Sequence, residues 1–453
     1  MKIDLLIAEI GSTTTLVNAF NIFDSWPRYL GQGQSPTSVL EGDVNIGLNN
    51  AIKDLSINMG EKVEYLELMA TSSAAGGLKM TVHGLVYDMT VKAAKEAALG
   101  AGANLKLVTA GRLRKSDLDK IMKIKPNIIL IAGGVDFGER DTAIYNANKV
   151  VSLDMDVPII YAGNIDNRDE IKDIFMASNK EFYIVDNVYP RIDELNIEPT
   201  REIIQKVFED HIIHGPGMSK IRELVDGHIM PTPGAVMEAS KLLYRDIGDL
   251  LTIDVGGATT DIHSVTEGSE EIGRISINPE PLAKRTVEGD LGVYINRKNV
   301  IDLIGEDKVS KELGINHTEL DKLIDCISPI PKDNMERMLM SLLTYHCCDI
   351  GLHRHAGRLR DLYTISGKKT IAEGKDLSLV KYIIATGGAL TRLNIDKDQI
   401  VNILEKSRAN HLLPKDNIEY LLDKDYIMAS LGVMGRKYPD QALKLLKSRL
   451  KEK

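Results

Sequence analysis

Aromatic residues are scarce in this 453-residue chain: they make up 5% of it, with a single tryptophan, Trp26. A core without large rings has to be assembled from Ile, Leu, Val, Ala and Met, which suits buried parallel strands covered by helices. Cysteine is scarcer still. Cys326, Cys347 and Cys348 are too few to staple a fold of this size, so a disulfide scaffold is excluded and a reducing, cytoplasmic compartment is expected. Long apolar runs are missing as well. The stretch from Lys2 to Ala8 and the run from Ile128 to Ala132 are strand length, far short of the about 20 residues a bilayer span needs. No leader pattern opens the chain, and no membrane partner is expected. There is no surplus of positive charge: 65 acidic against 56 basic residues leave a net charge of −9. That argues against nucleic acid as a partner, which needs a basic footprint. The sequence also lacks a Walker A stretch, a Gly-x-Gly-x-x-Gly fingerprint after a strand and a Gly-x-Ser-x-Gly elbow. P-loop, dinucleotide-binding and serine-hydrolase readings fall with them.

What is present is ordinary globular composition, 43% hydrophobic and 27% charged. At roughly 150 residues per domain the length suggests about three domains. Leu5–Ala8 and Thr15–Phe20 read as strands around a polar turn, with a third strand near Tyr29–Gln34, a helix over Glu41–Met59 and a strand at Leu66–Thr71. From about residue 80 the pattern changes to strand and helix in alternation, which implies a parallel sheet with helices on its faces. Gly215-Pro216-Gly217 and Pro231-Thr232-Pro233-Gly234 interrupt the chain near its middle. A second strand-rich block then starts at Leu251–Asp254, continues through Asp261–Thr266, and is expected to take its third strand from Arg274–Asn278. Helices are expected from Leu291 to Leu362, and then a strand at Tyr382–Ala385 running into Gly387-Gly388. The resulting division is 1–79, a first lobe; 80–245, an α/β insertion or elaboration with a helical connector; and 246–453, a second lobe.

One echo spans half the chain. Glu9-Ile10-Gly11-Ser12-Thr13-Thr14 and Asp254-Val255-Gly256-Gly257-Ala258-Thr259-Thr260 each place an acid at a strand end, then glycine, then hydroxyls. Glycine lets backbone N–H groups come close to phosphate oxygens, and the hydroxyls add donors. The acid can hold Mg²⁺ or orient an attacking water. A single turn of this kind reads as an ordinary hairpin; two in matching contexts point to phosphate. Gly387-Gly388 after a strand suits close approach to a base or ribose. Gly133-Gly134 has the same form but reads more simply as a tight strand-to-helix turn.

These elements, in this order, resemble the actin–Hsp70–sugar kinase ATPase superfamily. Glu288-Gly289-Asp290-Leu291-Gly292 and Ala429-Ser430-Leu431-Gly432-Val433 are similar to its two connecting segments. A closer resemblance, over essentially the full length, is to the glutamate mutase accessory family (MutL/GlmL type). It rests on Gly217-Met218-Ser219-Lys220-Ile221-Arg222-Glu223, Met230-Pro231-Thr232-Pro233-Gly234-Ala235-Val236, Lys284-Arg285-Thr286-Val287-Glu288-Gly289-Asp290 and Arg354-His355-Ala356-Gly357-Arg358. The resemblance implies an α/β, actin/Hsp70-like ATPase fold, with two related lobes around a nucleotide cleft. It implies ATP and Mg²⁺ as cofactors and slow hydrolysis coupled to a partner, an adenosylcobalamin-dependent mutase that the protein reactivates or chaperones. It places Gly11, Ser12, Thr13, Thr14, Gly256, Gly257, Thr259 and Thr260 on the phosphates. Glu288, Asp290, Gly387 and Gly388 join the nucleotide site. Asp254 orients metal-bound water, and Glu9 supports the metal. The superfamily usually carries Asp at this first position; Glu9 reaches one methylene further.

Other classes stay open at this point: a small-molecule kinase of the same fold, whose general base could only be Asp254 or Asp290, and a nucleotide-dependent scaffold or filament. The iron–sulfur activator of radical dehydratases ranks last, because the three cysteines lack its spacing. A homo-oligomer is also left open. His346, Asp349 and His353 share a helical face, but the two histidines are about 10 Å apart along the axis, too far for one ion. Arg354, Arg358 and Arg360 read as solvated or salt-bridged surface, with phosphate or an acidic partner as the minority reading. His211 and His214 are placed in a loop.

Overall fold

The computed structural model describes residues 1–452 except 12, 13, 25, 39, 40, 74–76, 212–216, 219, 365, 366, 394, 408–410 and 416. It divides into two compact units, Met1–Leu242 with Ala429–Leu445, and Leu243–Met428 with Leu446–Lys453.

The first unit contains strands β1 (Lys2–Ile10), β2 (Thr14–Asn21), β3 (Arg28–Pro36), β4 (Glu64–Ser72), β5 (Lys79–Gly84), β6 (Asn104–Ala110), β7 (Ile128–Ile131), β8 (Ile159–Tyr161), β9 (Phe182–Ile184) and β10 (Ile229–Pro231). They form two sheets. One has the order β10-β4-β1-β2-β3, with β1–β2 and β2–β3 antiparallel and β1–β4 and β4–β10 parallel. The apolar face of the Val44–Asn58 helix, Val44, Leu48, Ala51 and Leu55, packs into the same core as Leu6, Ala8 and Val17. The other sheet, β6-β5-β7-β8-β9, is parallel throughout. Its inner strands Ile128–Ile131 and Ile159–Tyr161 are buried along their whole length, as parallel strands covered on both faces must be.

The second unit contains β11 (Leu250–Val255), β12 (Thr260–Val265), β13 (Ala283–Glu288), β14 (Arg358–Thr364), β15 (Gly367–Glu373), β16 (Tyr382–Thr386), β17 (Glu419–Leu422) and β18 (Lys451–Glu452). Its main sheet runs β13-β12-β11-β16-β17-β18, and β14 and β15 pair as a separate hairpin. The first five strands repeat the plan of the first sheet: two antiparallel pairs on one side of the founding strand, two parallel pairs on the other. Two sheets with one strand plan are the paired α/β architecture expected of an actin/Hsp70-like ATPase fold. Two expected elements are corrected. Arg274–Asn278 is not the third strand; it follows a single helical turn at Glu270–Gly273, and the strand is Ala283–Glu288. Pro279 and Pro281 stand between the two, and proline cannot donate to a ladder. Helix does prevail after Leu291, in four segments ending with Asn334–His355, but Arg358–Thr364 is strand.

Two details of packing carry expectations. In the first unit the Met428–Met434 helix crosses the Thr232–Ile247 helix at Gly432, where a Cβ would run into the backbone carbonyl of Ala235. Asn18 of β2 donates to Ser430 Oγ of the same helix at 2.9 Å. Gly432→Val is therefore expected to destabilise the protein by about 1–3 kcal/mol; an unchanged melting midpoint would show that the helices part freely.

The second detail is His83, fully buried in β5 between Thr109 Oγ1 (2.8 Å from Nδ1) and Thr81 Oγ1 (3.0 Å from Nε2). Burial, only slightly opposed by Asp117, lowers its pKa from 6.5 to about 4. Below pH 6.5 the unfolded chain takes up a proton that the folded chain refuses until about pH 4, so stability falls as pH drops through that window. The slope approaches about 1.4 kcal/mol per pH unit for this one group. Burial pushes His263 and His355 of the second unit in the same direction. Urea unfolding between neutral and mildly acidic pH should show the slope, and His83→Gln should flatten it.

Candidate functional site

Both glycine-hydroxyl turns are tight connections between antiparallel neighbours. Ile10 pairs with Thr15, and Val255 pairs with Thr260. In each case the glycine N–H closes the turn on a threonine carbonyl: Gly11 to Thr14 at 3.0 Å, Gly256 to Thr259 at 2.9 Å. Glu9 and Asp254 occupy equivalent places, one residue before the last paired position of their strands. Glu9 is buried and lies in register with Thr71 of β4; Asp254 is half-buried and lies in register with Thr386 of β16. In the first turn Thr37 Oγ1 donates to the Gly11 carbonyl at 2.9 Å. Ser12 and Thr13 lie outside the described residues.

The second turn is fixed from behind by the segment after β13. The Gly256 carbonyl accepts from Val293 N–H, the Gly257 carbonyl from Tyr294 and Ile295 N–H at 2.9 and 2.7 Å, and the Ala258 carbonyl from Asn296 Nδ2 at 2.6 Å. Three successive carbonyls are thus engaged. Among the described residues nothing accepts from the N–H groups of Gly257 and Ala258. Thr260 does not add to this donor set: it is buried, and its hydroxyl donates to the Leu291 carbonyl at 3.0 Å. Thr259 Oγ1 donates to Asp261 Oδ2 at 3.2 Å, and the other oxygen of that carboxylate accepts from Arg285 Nε and Nη2 at 2.9 and 2.6 Å. Asp261 and Arg285 are both buried.

The remaining expected residues of the second unit gather around the same turn. Arg354, on the last turn of the Asn334–His355 helix, donates through Nη1 to Glu288 Oε2 at 2.7 Å. It also grips both oxygens of Asp290. That contact holds the Asp290 carboxyl below its ordinary range. At the end of β16, Gly387 has φ +87° and no room for a side chain: a Cβ would collide with the Asp254 carboxylate. Gly388 opens the short helix that follows. Thr386 Oγ1 donates to buried Asp423 at 2.8 Å, and the same carboxylate accepts from Ile427 and Met428 N–H.

Asp254, Gly256, Gly257, Thr259, Glu288, Asp290 and Gly387 are therefore brought together within one unit, and Glu9, Gly11 and Thr14 within the other. Sequence reasoning missed Asp261, Arg285, Asn296 and Asp423. Arg285 lies within a stretch already singled out and Asp261 and Asn296 lie close to others; Asp423 carried no signal beyond following an apolar run. Among the described residues no three His, Cys, Asp or Glu side chains assemble as a metal site. His353 instead pairs with Asp349 at 3.1 Å. Cys347 and Cys348 are buried, and burial pushes the Cys347 thiol up to about 12. No helix among the described residues is long and apolar enough to cross a membrane.

The family profile described as MutL protein matches residues 5–450. The chain belongs to that family. Protein MutL of Clostridium tetanomorphum is 34% identical over 459 residues, covering 98% of each chain. The family is the glutamate mutase accessory family to which the sequence motifs pointed. Among solved structures, the nucleotide-free diol dehydratase-reactivating factor is similar with a TM-score of 0.40 and 10% identity, over 97% of this chain and all of that one. Nucleotide-free acetone carboxylase has a TM-score of 0.41 and 12% identity, over 95% of this chain and 70% of that one. These likenesses are too loose to carry any feature across.

Proposed function

We propose that this member of the MutL family binds and slowly hydrolyses ATP, and that it serves as a reactivating or chaperone factor for an adenosylcobalamin-dependent mutase. The observation that carries the nucleotide reading is the 256–259 turn. Its carbonyls are tied back to residues 293–296, two N–H groups have no acceptor among the described residues, and a half-buried carboxylate stands at the strand end before it. Backbone donors with an acid alongside are what a phosphate and its counter-cation require.

Gly256, Gly257 and Thr259 are the phosphate-holding turn of the second unit, and Gly11 and Thr14, with Ser12 and Thr13, are the corresponding turn of the first. Gly387 and Gly388 let the chain approach the adenosine. Mg²⁺ is commonly held by one or two carboxylates with water and phosphate completing the shell, and the strand-end carboxylates Glu9 and Asp254 are hard oxygen donors of the kind it takes. When bound, the ion neutralises phosphate charge. Asp254 orients the attacking water, and Glu288 and Asp290 hold Arg354 beside the turn. The partner assignment is supported by family membership.

The test is reactivation. A cobalamin mutase inactivated during turnover should regain activity when this protein, Mg²⁺-ATP and fresh adenosylcobalamin are added together. ATP bound and hydrolysed with no recovery of any glutamate- or amino-mutase would overturn the partner assignment, and no ATP binding by calorimetry would overturn the nucleotide reading.

A further inference from the structure

The parallel sheet of the first unit has the strand order in which the second strand lies outside the first and the third to fifth follow on the other side. In doubly wound sheets of this order, small ligands sit outside the carboxyl ends of the strands where the order reverses, here between β5 and β7. On the β7 side of that point the carboxyl edge is closed by the chain itself, the loop after β7 being tied to those after β8 and β9. Asn164 N–H donates to the Gly133 carbonyl at 3.1 Å, its side-chain oxygen accepts from Phe137 N–H at 3.1 Å, and Asn187 Nδ2 donates to the Gly134 carbonyl at 3.1 Å. Both asparagines are buried.

The loops so locked present apolar side chains outward. Asp136 gathers them: its N–H donates to the Pro190 carbonyl, and its Oδ1 accepts from Ile165 N–H and Asn187 Nδ2, all at 2.9 Å. Phe137, Ile165 and Ile192 stand on these three loops, 79%, 39% and 69% exposed. Phe137 is held at φ +63°, and Asp193 on the loop after β9 at +62°, a conformation that costs free energy in non-glycine residues and persists where the surroundings impose it. The rim is acidic in effect. Glu139, Asp166 and Asp193 are exposed. Of the nearby cations Arg168 is paired with Asp186 and Arg191 with Glu194, and Arg140 alone donates only to neutral oxygens, Asn167 Oδ1 and the Asp166 carbonyl.

We infer that this edge, with Phe137 at its apex, is the surface on which the protein docks its protein partner, through an apolar pocket bordered by Lys and Arg. A preorganised, exposed aromatic ring within an uncompensated charged rim has the chemistry of an interface anchor. The inference rests on the mutase reading for the partner's identity. Its position on the molecule stands on the geometry alone.

Binding of the full-length protein to the purified mutase, followed by interferometry with Mg²⁺-ATP present, tests it. Phe137→Asp should weaken binding by roughly 30-fold or more. Phe137→Leu should retain most of it, affinity should fall as salt is raised, and calorimetric ATP binding should be unaffected in both variants. Wild-type protein that binds while Phe137→Asp binds equally well would overturn the surface and leave the mutase reading standing. No binding by the wild type would overturn both. A change confined to sedimentation of the protein alone would make the occupant a second copy of the chain and overturn the inference.

Discussion

Asp254→Asn is expected to lower ATP turnover by about 10²–10⁴-fold, the range that a positioned proton-transfer group contributes, with much less effect on ATP affinity. The carboxylate is half-buried, sits at the strand end before the phosphate turn and abuts the side-chain-free Gly387. An amide of the same shape preserves that packing but can neither accept a proton nor bind a hard cation as well. Phosphate release at saturating ATP, paired with calorimetric affinity, separates the two effects. Wild-type turnover in the variant would move the water-orienting role away from this residue. Glu9→Gln should act in the same direction but less strongly, since Glu9 is assigned to the cation and not to the water.

The second large effect concerns stability. Removing either member of the buried Asp261–Arg285 pair leaves the other charged, desolvated and without its main partner, which typically costs about 3–5 kcal/mol. Asp261→Ala and Arg285→Met should each bring the second unit's urea midpoint down sharply. The double variant should be more stable than the sum of the two losses predicts, because the uncompensated charge is gone. Additive losses would mean that the pair contributes through something other than mutual charge. Asp261 also accepts from Thr259 Oγ1, so its single variant should loosen the phosphate turn and weaken ATP binding, an effect that Arg285→Met shares only indirectly.

The sequence made the hairpin turns legible because their signal is local: acid, glycine and hydroxyls lie within a few residues, and the strands leading into them, Leu5–Ala8 and Leu251–Asp254, are short and mostly apolar. The strand and helix alternation after residue 80 was legible for the same reason, as the Lys115–Ile124 helix between β6 and β7 shows. The third strand of the second sheet was not. Ile275 and Ile277 mimic a strand period, whereas Ala283–Glu288 contains Lys284, Arg285 and Glu288, and reads as surface until Asp261 is seen to receive Arg285. Arg354 shows the same limit. It is expected as solvated or salt-bridged surface and is salt-bridged, but its partners Glu288 and Asp290 lie more than sixty residues away in sequence, and only the fold brings them to it. Charges that pair at long range leave no trace in periodicity or composition.

Asp423 also links distant stretches of chain. It joins Thr386, the residue before the Gly387-Gly388 turn, to Met428, although Thr386 and Asp423 are 37 residues apart. Met428 is the last residue of that long stretch of the second unit, after which the polypeptide passes into the first. One desolvated carboxylate thus short-circuits a long excursion of the backbone. Slack that the intervening residues could otherwise absorb is taken out, and a displacement of the glycine turn reaches the crossover point through two hydrogen bonds instead of through dozens of soft torsions.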